Sequence, residues 1–215
     1  MTSLSITIVL IIMTGLISYQ AFSNYDMRQK LMFHPYIINQ QGDYYRFITH
    51  GFIHANWQHL LINMFVFWQF GTIVEYFFSS IFGQVFGPIV FVLFYLSAFA
   101  ISAVPAYFEH RNNPGYAAVG ASGATSAMLL IYVFFGPWEW FLFPPMPAIV
   151  LAIVYLWYSS YMDRRGTDHI AHGAHFWGAM YGIVFIIVST LAFKPVFFRY
   201  FVDELLAGPT FPFSS

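Results

Sequence analysis

An apolar run near the middle of the chain begins with small residues, Gly120-Ala121-Ser122-Gly123-Ala124, and continues to Phe135. The apolar segments on both sides of it are long enough to span a membrane, so the run predicts a helix of a membrane protein. A serine at a helix N-terminus lies near unpaired backbone N–H groups and the positive end of the dipole, a setting that stabilises an oxyanion. Ser122 is therefore a candidate nucleophile. The alternative is that the small residues only allow close helix packing in lipid.

The composition predicts a polytopic membrane protein. Of 215 residues, 59% are hydrophobic and 8% are charged, against about 25% charged residues in soluble domains. The net charge of −1 comes without a basic run, so no nucleic-acid partner is predicted. The chain has no cysteine, which leaves Ser, Thr, His and carboxylates for any chemistry. Aromatic residues make up 22% and fit interfacial and lipid-facing packing, so they predict no cofactor.

The apolar segments predict six spans in one domain covering residues 1–215. The predicted spans are 4–22, 57–78, 84–107, 121–136, 148–162 and 169–193, with a tail at 194–215. No Lys or Arg precedes the first span, which favours a retained span over a signal peptide. The connection 23–56 shows no helical periodicity and is rich in aromatic residues, and we expect it to lie folded at or in the membrane interface. A loop is predicted at 163–168.

The sixth predicted span carries a candidate partner for Ser122. Its i, i+4, i+7, i+11 spacing places on one helical face Ala171, His175, Gly178 and Gly182. The two glycines allow another helix into backbone contact, and the helix beginning at Ser122 is the expected neighbour. A neutral imidazole beside a hydroxyl takes its proton as acyl transfer begins and returns it to the leaving amine. The alternative for His175 is a hydrogen-bonded core histidine.

The second predicted span carries a pair of hydrogen-bond donors. His59 and Asn63 are four residues apart and share a helical face near the helix start. With the backbone N–H of Ser122 they would form an oxyanion hole, in which one donor contributes about 3 kcal/mol. The alternative is that the pair only bridges helices.

Two other motifs would indicate a different kind of site. Three histidines are spaced three apart, as metal ligands can be, at His169, His172 and His175. Because the chain has no His-Glu-x-x-His and no thiolate, no metal site is predicted. The Gly-x-Ser-x-Gly elbow of α/β-hydrolases is not matched, because position 124 is alanine.

These motifs, taken in order, resemble the rhomboid family of intramembrane serine proteases. The family's Gly-x-Ser-Gly is similar to Gly120–Gly123, its Ala-His-x-x-Gly-x-x-x-Gly to Ala174–Gly182, and its His-x-x-x-Asn to His59–Asn63. Its aromatic-Arg pair is similar to Tyr45-Arg46, and a loop histidine of the family to His54. The resemblance implies Ser122 and His175 as the catalytic dyad. It implies supporting roles for Gly120, Gly123, Gly178, Gly182, Arg46 and His54.

One position departs from the family pattern. Many members carry an aromatic residue one turn after the serine, where it packs on the catalytic imidazole, and here that position is Ser126. Another group must therefore orient His175, and Trp177, two residues along, points elsewhere. No third acid is evident. Loss of the acid from a soluble triad costs about 10⁴ in rate, so a dyad predicts a slow enzyme.

The resemblance implies an all-α membrane fold, a bundle of six transmembrane helices with a short central fourth helix and a long interfacial first loop. Its substrates would be transmembrane segments of other proteins in the lipid bilayer. Hydrolysis needs water, so a wet cavity must reach the serine. The main alternative is a catalytically inactive rhomboid-like protein that binds membrane clients. A transporter is disfavoured, because neither internal symmetry nor paired broken helices are found.

The resemblance also implies a multi-pass protein of a bacterial inner membrane with cytoplasmic termini. The basic residues suggest the reverse, since the side of the long first loop would hold Arg28, Lys30, Arg46, Arg111, Arg164 and Arg165. The other side would hold Lys194 and Arg199. We follow the resemblance, because the three basic residues of the first loop are expected to belong to a folded interfacial structure.

Overall fold

The computed structural model describes residues 5–141, 144–165 and 171–209, and these are mostly helical. The helices are α1 Ile6–Ser23, α2 Tyr25–Leu31, α3 Pro35–Gln41, α4 Arg46–Thr49, α5 Trp57–His110, α6 Ser122–Phe135, α7 Ala148–Arg165, α8 His172–Phe193 and α9 Pro195–Ala207. A 3-10 turn, His50–Phe52, follows α4, and the two short antiparallel strands are β1 Trp140–Phe141 and β2 Met146–Pro147. Within the described ranges, the helices long and apolar enough to cross a membrane are α1, α5 and α8.

The long helix α5 is a hairpin of two helical stretches joined at Gly83. Gly83 has φ 85° and ψ 163°, a conformation that glycine adopts without steric cost. The second stretch runs back along the first. This is seen at Gly87, where an added Cβ would lie only 2.5 Å from the Cα of Ser79. The stretches 57–82 and 84–110 contain the predicted segments 57–78 and 84–107, and the break between them is shorter than predicted.

The apolar helix α6 lies at the centre of the bundle, packed against α5, α7, α8 and α9. Every residue of α6 is buried except Ser122 and Tyr132. A helix that is apolar on all sides is stable only when it is buried on all sides. At the start of this central helix, Ser122 alone is partly exposed.

Helix α1 is fastened to α5 by a carboxylate. Glu75 of α5 accepts hydrogen bonds from the backbone N–H groups of Ile6 (2.7 Å) and Thr7 (3.0 Å). It also accepts from the hydroxyls of Ser5 (2.7 Å) and Thr7 (2.8 Å). The first N–H groups of a helix lack intrahelical partners, and a carboxylate there is stabilised by the dipole. An ionisable residue within a predicted span is thus accounted for by packing.

The predicted end of the fifth span is wrong, and a helix in the tail was not predicted. Residues 163–165 of the predicted loop 163–168 are helical, since α7 continues to Arg165, and residues 166–168 lie outside the described part. Basic residues suit a helix C-terminus, and the Arg165 guanidinium lies 4.6 Å from the centre of the Tyr161 ring. The predicted tail contains α9, which starts at Pro195, a residue well suited to the first helical position. The Phe201 ring of α9 stacks on Phe134 of α6 at 4.5 Å.

The long connection after α1 is folded into short helices. It contains α2, α3, α4 and the 3-10 turn, although its sequence shows no helical periodicity. Helices of four to seven residues are too short to show a periodic apolar pattern. Phe33 in this connection forms a β-bridge with Ala118, with N–O distances of 3.0 and 2.9 Å. The connection therefore contacts the loop that leads into α6.

Candidate active site

Ser122 is the first residue of α6 and is half-buried. Its carbonyl oxygen accepts hydrogen bonds from the hydroxyls of Thr125 (3.1 Å) and Ser126 (2.6 Å). Its backbone N–H belongs to the first helical turn, where N–H groups have no intrahelical acceptor. The residue thus combines a hydroxyl with a backbone donor at the positive end of a helix, as predicted from the sequence.

Gly120 is held in a conformation that suits only glycine. Its φ is +121°, and its N–H donates to the carbonyl of His50 in the long connection at 3.0 Å. A Cβ on Gly120 would lie 2.6 Å from Cε1 of His59 and 2.9 Å from its Nε2. The absence of a side chain at position 120 therefore allows the His59 ring to lie against the backbone just before Ser122.

His54 links the same backbone to α1. The N–H of Ala121 donates to Nε2 of His54 at 3.3 Å, so Nδ1 carries the proton and donates to Ser18 Oγ at 3.0 Å. The Ser18 hydroxyl in turn donates to the carbonyl of Phe52 at 2.9 Å. Burial, with a smaller effect of the neighbouring His59, lowers the pKa of His54 to about 3. The ring is therefore neutral and acts as a backbone acceptor.

Arg46 fastens the long connection internally. Its Nη1 donates to the carbonyls of Gln29 (2.7 Å) and Met32 (3.1 Å), near the C-terminus of α2, and its Nε pairs with Asp43 at 3.0 Å. The carbonyl of Arg46 accepts from Nδ1 of His50 at 2.9 Å. Burial lowers the pKa of His50 to about 4. Arg46 and His50 thus support the backbone that holds Gly120.

Helices α6 and α8 meet in backbone contact. A Cβ on Gly178 would lie 2.9 Å from the Cα of Gly123, and one on Gly182 would lie 2.7 Å from the Cα of Ala127. The prediction that α6 is the neighbour of the glycine face of α8 is therefore confirmed. A Cβ on Gly123 would lie 3.5 Å from the carbonyl oxygen of Ala174. The turn of α8 that carries His175 is thus adjacent to the start of α6.

The imidazole of His175 lies beside two rings. The Tyr155 ring of α7 is nearly parallel to it, with 6.2 Å between centroids and 17° between planes. The His172 ring lies at 5.6 Å and 74°. Tyr155 was not predicted from the sequence. Ser126 was a signal that some aromatic residue must come from elsewhere, but the sequence did not indicate which one.

His59 and Asn63 lie in the first turns of α5. The N–H of Ala55 makes a long hydrogen bond of 3.5 Å to Nδ1 of His59. The ring proton is therefore on Nε2, which is the ring nitrogen nearer to Gly120. Asn63 is buried, and its amide nitrogen donates one hydrogen to the carbonyl of His59 at 2.9 Å and carries a second. His59 therefore has an N–H group to offer beside Gly120, and Asn63 has a second amide hydrogen one turn further along α5.

A cavity of about 420 Å³ opens beside Ala174 at the same end of the bundle. Two carboxylates, Glu109 and Asp163, line it together with Tyr116 and Trp177. Burial, and then the charges of Asp163 and Glu109, raise the pKa of Tyr116 to about 12. Since one water molecule occupies about 30 Å³ in the liquid, this polar cavity can hold several.

Of the three spaced histidines, the described ranges contain two, His172 and His175. No group of three His, Asp or Glu side chains in those ranges is arranged to hold a metal ion. His172 is buried with its ring edge toward Tyr158 at 5.6 Å, and His169 lies outside the described residues.

The sequence matches a known protein family over most of its length. The family model of the Rhomboid domain matches residues 41–191, from just before α4 almost to the end of α8. The chain belongs to the rhomboid family. This confirms the resemblance drawn from the motifs at Ser122, His175 and His59, and it fits an all-helical membrane protein with several apolar helices.

This rhomboid is also similar to a curated plant protein, "RHOMBOID-like protein 12, mitochondrial" of Arabidopsis thaliana. The two are 26% identical over 170 residues, which cover 70% of this chain and 49% of the plant protein. The chain therefore spans about half the length of that relative. The relative's name places it in mitochondria, so the comparison gives no support to the predicted bacterial inner membrane.

Proposed function

We propose that this rhomboid is an intramembrane serine endopeptidase with Ser122 as nucleophile and His175 as general base and acid. The observation that carries the proposal is the backbone contact of Gly178 with Gly123, because it brings the turn bearing the imidazole to the helix start bearing the hydroxyl. Both residue types are present in a chain of a family that includes serine proteases.

The reaction would proceed through an acyl-enzyme. His175 takes the proton of Ser122 as Oγ attacks the scissile carbonyl, and it returns that proton to the departing amine. Water from the cavity beside Ala174 then attacks the ester, with His175 again taking the proton; His175 returns that proton to Ser122 Oγ as the Oγ–acyl bond breaks and the carboxylic product leaves. The oxygen of each tetrahedral intermediate would accept from the Ser122 backbone N–H, Nε2 of His59 and the amide of Asn63.

The proposed substrates are transmembrane segments of other membrane proteins. A helical peptide bond is hydrogen-bonded internally, so the segment must unwind before it can enter the site. Segments with Gly or Pro near the cut are therefore favoured. As part of the same proposal, residues 1–215 form one domain with six spans, formed by α1, the two stretches of α5, α6, α7 and α8. The folded connection after α1 would then lie at the interface.

A serine-directed fluorophosphonate tests this function in detergent, with the Ser122→Ala variant as the matched control. Labelling of the wild type and none of the variant is expected, since the probe reacts only with an activated hydroxyl. An unlabelled wild type, or equal labelling of both proteins, would contradict the proposal. That result would favour an inactive rhomboid-like protein that binds membrane clients.

We further propose cytoplasmic termini, with the site opening to the outer face of a bacterial inner membrane. The basic residues of the first connection do belong to folded structure, since Arg28 and Lys30 lie in α2 and Arg46 is buried. Setting them aside removes most of the charge asymmetry that opposes this orientation. In a bacterial host, a C-terminal fluorescent-protein fusion should fluoresce, and a C-terminal alkaline phosphatase fusion should be inactive. The reverse pattern would contradict this topology.

A further inference from the structure

We infer that Tyr155 is the positioning residue that holds the His175 imidazole for the proposed reaction, in the place of an aromatic residue at position 126. The inference rests on the proposed protease function. It comes from three observations, which are the stacking of the two rings, the anchoring of the Tyr155 hydroxyl, and the small size of residue 126.

The ring of Tyr155 restricts the imidazole from one face. The two planes are within 17° of parallel and their centroids are 6.2 Å apart, an offset arrangement that aromatic pairs favour. Tyr155 is half-buried in α7, while His175 belongs to α8, so the contact joins two helices. A general base must be held at a fixed angle to its nucleophile, and a flat neighbour limits the rotation of the imidazole.

The hydroxyl of Tyr155 is fixed by the turn that bears the nucleophile. Ser126 has one hydroxyl hydrogen, and it is donated to the Ser122 carbonyl at 2.6 Å. Tyr155 must therefore donate to Ser126 Oγ, across 2.5 Å. Hydrogen bonds thus connect Tyr155 to Ser122 while its ring stacks on His175. One side chain thus lies against the imidazole of His175 and is linked to Ser122 through the hydroxyl of Ser126.

The size of residue 126 makes room for this arrangement. Ser126 is buried, with 3% of its surface exposed, and its hydroxyl contacts the end of the tyrosine ring. An aromatic side chain at position 126 would occupy the volume that the hydroxyl end of the Tyr155 side chain fills. A closely packed interior does not hold both. A small residue at 126 and a large one at 155 therefore form a complementary pair.

The test compares variants by kcat, KM and the unfolding midpoint, using a model membrane protein with one transmembrane segment as the substrate. Tyr155→Leu should lower kcat about 10- to 100-fold with little change in KM, because the base is displaced while substrate binding is retained. Tyr155→Phe and Ser126→Ala, which keep the ring but remove its anchoring hydrogen bond, should each lower kcat by about 2- to 10-fold. Tyr158→Leu is the matched control, since Tyr158 lies one turn on and contacts His172 rather than His175.

A variant with the aromatic ring moved from position 155 to position 126 distinguishes a positioning role of Tyr155 from a general packing role. The double variant Ser126→Phe with Tyr155→Ala should recover most of the kcat lost in Tyr155→Leu, because the aromatic ring returns to the imidazole from α6. Loss of kcat in Tyr155→Leu no greater than in Tyr158→Leu would overturn the inference. If Tyr155→Leu does not fold, wild-type kcat in both Tyr155→Phe and Ser126→Ala would overturn it.

These outcomes are distinct from failure of the proposed function. An inactive wild type, or equal activity in wild type and Ser122→Ala, would refute the protease and with it this inference. An active wild type, an inactive Ser122→Ala variant and a Tyr155→Leu variant with wild-type kcat would together refute the positioning role alone.

Discussion

Gly178 of α8 lies directly on the backbone of Gly123 of α6, so closely that a Cβ at position 178 would come within 2.9 Å of the Gly123 Cα. Gly123 follows Ser122 in the chain, and Gly178 is one helical turn after His175. The separation of the two helix backbones therefore sets the separation of the proposed catalytic side chains. Without a hydrophobic driving force between helices in lipid, such close packing is itself a main source of association.

Substitution of Gly178 by alanine should separate the two helices. The added methyl group has no space, and overpacking typically costs about 1–3 kcal/mol. We expect a lower unfolding midpoint in detergent and a reduced kcat. Gly15→Ala in α1 is the control, because a Cβ there meets nothing within 4 Å and alanine favours the helix. A Gly178→Ala protein as stable and active as Gly15→Ala would show that the contact does not fix the site.

The proposed oxyanion donors should contribute separately from the dyad. His59→Ala or Asn63→Ala removes one donor and leaves the nucleophile and base in place. We expect kcat to fall about 10- to 10³-fold, with fluorophosphonate labelling of Ser122 still detectable. Steady-state rates and labelling are measured on the same preparation. Wild-type rates in both variants would contradict the oxyanion role and would show that the two side chains only pack between helices.

Acid should destabilise the protein through its buried neutral histidines. The pKa of His54 is about 3 in the folded protein, below its ordinary 6.5, so between these values only the unfolded chain binds a proton there. Stability is therefore fully present above pH 6.5 and falls below it, by up to about 1.4 kcal/mol per pH unit for one histidine.

The titration of His54 can be isolated by substitution. In His54→Gln, an amide oxygen can still accept from Ala121, but the group no longer titrates. The unfolding midpoint of the wild type should decline between pH 6.5 and 4.5 more steeply than that of the variant. His50 retains its own titration in both proteins. Equal slopes would show that His54 is not held neutral by the fold.

The elements that the sequence predicted are those specified by short-range spacing. Ser122 at a helix start, and Gly178 with Gly182 on one face, follow from residues within a few turns of each other. The Tyr155 contact joins α7 to α6 and α8, and its register depends on how these helices pack. Arg46 contacts carbonyls 14 and 17 residues away, within helices too short to show a pattern. Helix α9 was missed because Pro195 resembles a terminator as much as a start.

The most direct measurement of the central claim is cleavage of a membrane protein with one Gly-containing transmembrane segment, reconstituted with the enzyme in liposomes. Wild-type protein should cleave it, and Ser122→Ala and His175→Ala should each abolish cleavage while retaining the wild-type unfolding midpoint. The double variant should be no worse than either single one, because the two residues act as a unit. Turnover by Ser122→Ala above that of protein-free liposomes would contradict the account.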